Sequence, residues 1–162
     1  MNKIIMTIGA IAILTQATFA ATSGTLTLTG TVSGLIDIVV TPEPVASTLD
    51  LSVTQSNLKV ASVTERSNKA AGYTVTVSSA NAVAASAAVA TLASANSGTL
   101  EYFMKYGGST VTLAGGMATI TDATGATSSN GVSKDLTVSY TGDSGLAEGI
   151  YTDTLTFTIA AK

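Results

Sequence analysis

The sequence predicts an all-β protein, an immunoglobulin-like β-sandwich, and three observations carry that reading. Short stretches in which apolar and polar residues alternate recur along the chain, separated by clusters of Gly, Ser, Asn and Pro. No βαβ alternation and no repeat at a fixed period appears, which argues against a parallel sheet, a solenoid or a propeller. The chain is rich in Ala, Thr, Ser, Val and Gly with only 10% charged residues, which suits strands whose outer faces are covered by hydroxyls.

Residues 1–20 read as a secretory signal peptide. Lys3 gives the positive start, Ile4 to Leu14 is a short apolar run, and Thr18-Phe19-Ala20 offers small residues at a cleavage site. The apolar run falls short of the roughly 20 residues that span a bilayer, and no later stretch is long enough either. The expectation is export, through a periplasm to the cell surface or the extracellular medium. What remains divides into an N-terminal strand, residues 21–33, and a sandwich domain, residues 34–162.

That strand is Gly24 to Val32. Leu26, Leu28, Gly30 and Val32 share one face of an extended chain, and Thr25, Thr27, Thr29 and Thr31 share the other. Ser33-Gly34 signals a turn or bulge, and Leu35 to Val40 is a β-branched strand that Pro42 and Pro44 end. Leu49 to Val53 alternates and should be half-buried, and Gln55-Ser56-Asn57 turns the chain. Leu58 to Val63 is a short strand, and the charged run Glu65 to Lys69 reads as a solvated loop.

Gly72 to Ser79 is the clearest internal strand, with Tyr73, Val75 and Val77 inward. From Ala80 to Asn96 the chain is Ala-rich without an apolar stripe at helical spacing, so a short helix and an irregular connection remain equally open. Thr99 to Tyr106 is a strand closed by Gly107-Gly108. Thr110 to Leu113 and Met117 to Thr121 straddle Gly115-Gly116 as a hairpin. Leu136 to Tyr140 is a strand. The last strand, Ile150 to Ile159, sets Tyr151, Leu155, Phe157 and Ile159 on one face and threonines on the other.

Composition excludes much chemistry. Cysteine, histidine and tryptophan are absent, which removes disulfides, Ser-His and Cys-His catalysis and most zinc sites. Neither Asp122 to Gly131 nor the Asp143 loop has the ligand spacing of a calcium site, so no cofactor and no metal is expected. Glu65, Glu101 and Asp153 have no identifiable catalytic partner, and Asp153 is better read as accepting hydrogen bonds at a strand bend. An enzyme is not expected. The formal charge of −3 disfavours nucleic acid.

The stretch Thr25-Leu26-Thr27-Leu28-Thr29-Gly30-Thr31-Val32, just after the cleavage site, resembles the N-terminal extension of chaperone–usher pilus subunits. Gly149 to Ile159 is similar to their last strand. The resemblance covers the leader and both mature ends, and fits a cysteine-free branch of that family. It implies a sandwich completed by a strand donated from a neighbouring subunit, with Leu26, Leu28 and Val32 filling pockets and Gly30 where the acceptor comes closest. It also implies that the last strand, with Tyr151, Leu155, Phe157 and Ile159, borders the receiving groove. The implied partners are copies of the chain or related subunits, a periplasmic chaperone and an outer-membrane usher.

The expected function is therefore a structural subunit of a fimbria-like surface fibre serving adhesion or biofilm cohesion. The alternative is a self-complemented secreted sandwich, a monomeric adhesin or carbohydrate-binding module. Its weakness is an aromatic fraction of 5%, too low for sugar platforms when Tyr73, Tyr102, Phe103, Tyr106 and Tyr140 fall mostly in strand cores. The two Thr rows alone, without a repeat, make ice binding a weaker reading still.

Overall fold

A computed structural model of the chain describes residues 22–95 and 98–162. The expected signal peptide, residues 1–20, lies outside the described residues. The chain divides into two units, one ending at Val32 and one spanning Ser33–Lys162. In the first, residues 22–32 belong to no strand ladder. An alternating sequence supplies side chains for a strand, but the ladder needs a partner for its N–H and C=O groups.

The second unit holds β1 (Ile36–Pro42), β2 (Gln55–Ser67), β3 (Tyr73–Ser79), α1 (Ala80–Ala85), β4 (Ala90–Ser94), β5 (Gly98–Tyr106), β6 (Ser109–Val111), β7 (Met117–Ala123), β8 (Val132–Tyr140) and β9 (Leu155–Ala161). They form two antiparallel sheets. The larger runs β1-β2-β8-β5-β4 with β6 added to β5, and the smaller runs β7-β3-β9. This is an all-β sandwich. Its order matches an immunoglobulin-type pair of sheets, with β1, β2, β8 and β5 in one and β3 and β9 in the other. Among the described residues no strand pairs with the outer edge of β9.

Alternation explains most elements. Tyr73, Val75 and Val77 are buried on β3, the central strand of its sheet, and Val63, Leu136 and Val138 are buried on the larger sheet. Tyr102, Tyr106 and Tyr140 are buried as well, whereas Phe103 faces out. Pro42 closes β1, opposite Ala61, on an edge strand where its missing N–H costs little.

Several expectations are corrected. Gln55-Ser56-Asn57 is not a turn: β2 begins at Gln55, and an irregularity before Leu58 absorbs Asn57 at φ 51°. Glu65 is not on a solvated loop, because β2 continues to Ser67 and carries it inward. Leu49 and Leu51 are half-buried as expected but belong to a loop, and Val53 is exposed. The Ala-rich stretch contains both α1 and a strand, β4. Ser79 caps α1 by accepting a hydrogen bond from the Ala82 N–H at 3.1 Å.

The hairpin expected around Gly115-Gly116 does not form as such. β6 stays with β5 and β7 joins β3 in the other sheet, with a single bridge, Ala114 to Met117, between them. The glycines serve the crossing. Gly116 stands at φ +80°, and a Cβ there would lie 2.2 Å from the Val83 backbone nitrogen.

Candidate functional site

The two sheets do not close on one side. β1 ends the larger sheet and β9 ends the smaller, and the two edges lie near each other without a ladder between them. Register shows what this does to their inner faces. Val40 on β1 is paired with Val63 on β2, yet Val40 is 40% exposed and Val63 0%. Ile36 is likewise exposed beside buried Ser67. On the other edge Leu155, Phe157 and Ile159 pair with Ser79, Val77 and Val75; the β3 partners are buried and the β9 residues only half-buried. Inward-facing apolar side chains on both edges thus keep access to solvent.

Between them lies an apolar groove of about 340 Å³. Val40 and Pro42 form one wall and Leu155 and Phe157 the other, over a floor that includes Val60, Leu136 and Val138. β1 and β9 run in opposite directions along it. The first half of β1 sets Ile38 opposite Glu65, whose carboxylate meets the Tyr73 hydroxyl, and Tyr73 pairs with Ala161 at the end of β9. Pro42, at the end of β1, lines the groove together with Leu155 at the start of β9.

Of the residues expected at an interface, the structure brings Leu155 and Phe157 into the groove wall and sets Ile159 on the same face of β9. Tyr151 is separated from them. β9 starts only at Leu155, and Thr152 just before it bridges Ala93 instead of β3. Tyr151 lines a neighbouring cleft, and its hydroxyl donates to the Ala147 carbonyl at 2.9 Å. Leu26, Leu28 and Val32 belong to the first unit and are 84%, 85% and 90% exposed. Gly30 has no heavy atom within 4 Å of a Cβ built on it.

Asp153 accepts hydrogen bonds, as expected, just ahead of β9. Its carboxylate accepts from the Ser79 hydroxyl and the Tyr102 hydroxyl, each at 2.6 Å, and from the backbone N–H groups of Asn81 and Thr154 at 3.1 and 2.8 Å. Burial, with the bond to Asp153, pushes the Tyr102 phenol well above its ordinary range.

Sequence reasoning missed the polar centre of the core. Glu65, fully buried, accepts from the hydroxyls of Tyr106 and Thr121 at 2.6 Å and of Tyr73 at 2.9 Å, and the Lys134 ammonium lies 3.2 Å away. Lys134 also donates to Thr121 at 2.7 Å and lies over the Tyr106 ring. Burial alone would raise the carboxyl pKa, but the three hydroxyl donors and the Lys134 charge hold it below the ordinary range. The same burial, with the neighbouring carboxylate, pushes Tyr73 up to about 12. The signal was present: Ala61, Val63, Glu65 and Ser67 keep one period-two register.

This cluster is a satisfied structural ion pair. Among the described residues no group of three acidic, His or Cys side chains is placed to hold a metal ion, and no helix is long and apolar enough to cross a membrane. No protein-family model matches the chain, and no curated protein is significantly similar to it.

Proposed function

We propose that this chain is a structural subunit of a secreted surface fibre, built by donation of residues 24–32 of one copy into the β1–β9 groove of the next. The observation that carries the reading is the open seam. Two edge strands present half-exposed apolar inner faces to each other across a groove, and among the described residues no strand pairs with either edge there. Apolar edges of this kind are aggregation-prone unless a strand covers them.

The occupant is argued from the same chain. Residues 22–32 carry no ladder, their leucines are exposed, and their alternation has the period of a strand with one face to bury. The nine residues from Gly24 to Val32 are enough to run the length of the seven-residue β9, whose outer edge pairs with no strand among the described residues. Strand addition draws on both terms, main-chain bonds along β9 and side-chain burial in the groove. Burying Leu26, Leu28 and Val32 contributes about 1.5–3 kcal/mol each. A periplasmic chaperone and an outer-membrane usher are the assembly partners such a subunit requires, and adhesion or biofilm cohesion is the role of the fibre.

The test is electron microscopy and sedimentation of the purified protein beside a variant lacking residues 22–32. The full chain forms filaments; the variant forms none, and a synthetic peptide of residues 22–32 binds it in a 1:1 complex. Filaments of unchanged appearance from the deletion variant would overturn the proposal.

A further inference from the structure

A subunit with both a groove and an arm has a competing reaction, insertion of the arm into its own groove. We infer that Asn68 suppresses it, acting as a clamp on the root of the arm that keeps the groove open for a second copy. The inference rests on the strand-donation reading above.

Self-insertion places a geometric demand on a short stretch. Only Ser33, Gly34 and Leu35 separate Val32 from β1, and three residues span at most about 10 Å. Because β1 itself borders the groove, the arm must reverse within those residues. Gly34 is the residue at which a tight reversal is cheapest, since two-residue hairpin turns need positive φ. Gly34 is not in that conformation: among the described glycines the first with positive φ is Gly72.

Asn68 accounts for this. It stands one position beyond the Ile36–Ser67 pair, opposite Leu35. Its side-chain oxygen accepts from the Leu35 N–H at 2.6 Å, its backbone N–H donates to the Leu35 carbonyl at 3.1 Å, and its side-chain amide donates to the Ser33 carbonyl at 2.7 Å. Both main-chain groups of Leu35 and the carbonyl of Ser33 are therefore turned toward β2. A two-residue reversal at Ser33-Gly34 needs the Leu35 groups on the opposite side, bonded to Val32. Asparagine fits the position because one amide both accepts and donates.

Strand direction adds to the effect. An arm folded back along β1 runs antiparallel to it and hence parallel to β9, and parallel pairs are slightly less stable. A donated arm carries no such constraint.

The test compares the full chain with Asn68→Ala and Asn68→Asp, the latter keeping the acceptor for Leu35 and losing the donor to Ser33. Hydrogen exchange of residues 24–32 is followed against concentration, with the monomer fraction measured by gel filtration. In the unaltered chain these amides are unprotected in the monomer and become protected only as filaments form. Asn68→Ala gives a monomer with concentration-independent protection of residues 24–32 and a monomer fraction raised severalfold; Asn68→Asp falls between. Unprotected arms and an unchanged monomer fraction in Asn68→Ala overturn the clamp. Melting curves of both variants establish that they fold, and if Asn68→Ala does not, Asn68→Asp decides alone. A labelled peptide of residues 22–32 added to the full-chain monomer separates the two claims. If it binds while Asn68→Ala behaves like the parent, only the clamp falls; if it does not bind, the donation reading falls and the clamp with it.

Discussion

Val77 and Phe157 are register partners on β3 and β9 and point the same way into the sandwich, yet Val77 is sealed from solvent and Phe157 is not. Phe157 packs against the core only partly buried, with the Tyr106 ring at 6.3 Å and tilted 38°. Truncating it therefore costs the monomer less than the roughly 3–5 kcal/mol typical of a buried Phe→Ala change. About half that loss is expected for Phe157→Ala in urea unfolding of the monomer. The proposed fibre suffers more, and filament yield falls by an order of magnitude or greater.

Breaking the buried ion pair has a different signature. Lys134→Met leaves the Glu65 carboxylate in the core without its cation, and such losses run to about 3–5 kcal/mol. Lys134 is partly open to solvent, so the lower end is expected. The double change Glu65→Gln with Lys134→Met recovers part of it. Chemical denaturation of the four proteins in a double-mutant cycle gives the coupling.

Stability should fall at both ends of the pH scale for identifiable reasons. Glu65 titrates lower in the folded chain than its ordinary 4.5, so its contribution is complete above that value and is lost as the pH falls through the folded pKa. Tyr73 is raised from 10.0 to about 12, so its contribution is complete below pH 10 and is lost between pH 10 and about 12. Urea midpoints measured across pH check both limbs, and Tyr73→Phe flattens the alkaline one.

Two glycines with similar backbone angles should respond differently to alanine. Gly108, at φ +86°, has open space where a Cβ would sit, so Gly108→Ala meets only the left-handed penalty of about 1–2 kcal/mol. Gly116, at φ +80°, would drive its Cβ into the backbone of α1 at Val83 and Ala82. Gly116→Ala is expected to cost at least about 2 kcal/mol more, read as a lower thermal midpoint.

The strands with plain alternation were legible because burial on one face writes itself into a period of two. Tyr73, Val75 and Val77 are the clearest case. Glu65 was hidden by its charge, which composition assigns to solvent unless its partners are known, and those partners come from β3, β5, β7 and β8. Gly115-Gly116 had the chemistry of a hairpin but serves a crossing, since local turn residues do not say which sheet receives the next strand. The groove walls at Leu155 and Phe157 were visible as one apolar face, while Val40 and Pro42 were not assigned to it. A groove is a relation between strands at opposite ends of the chain, and alternation within either strand is silent on it.

The open edge of β9 also bears on how a fibre of the proposed kind would carry load. If the axis of such a fibre followed a strand seated against that edge, tension would act in shear. All the main-chain bonds along the edge then resist together instead of parting one after another. With no cysteine in the chain to cross-link the joint, resistance to flow would be set by the length of that edge.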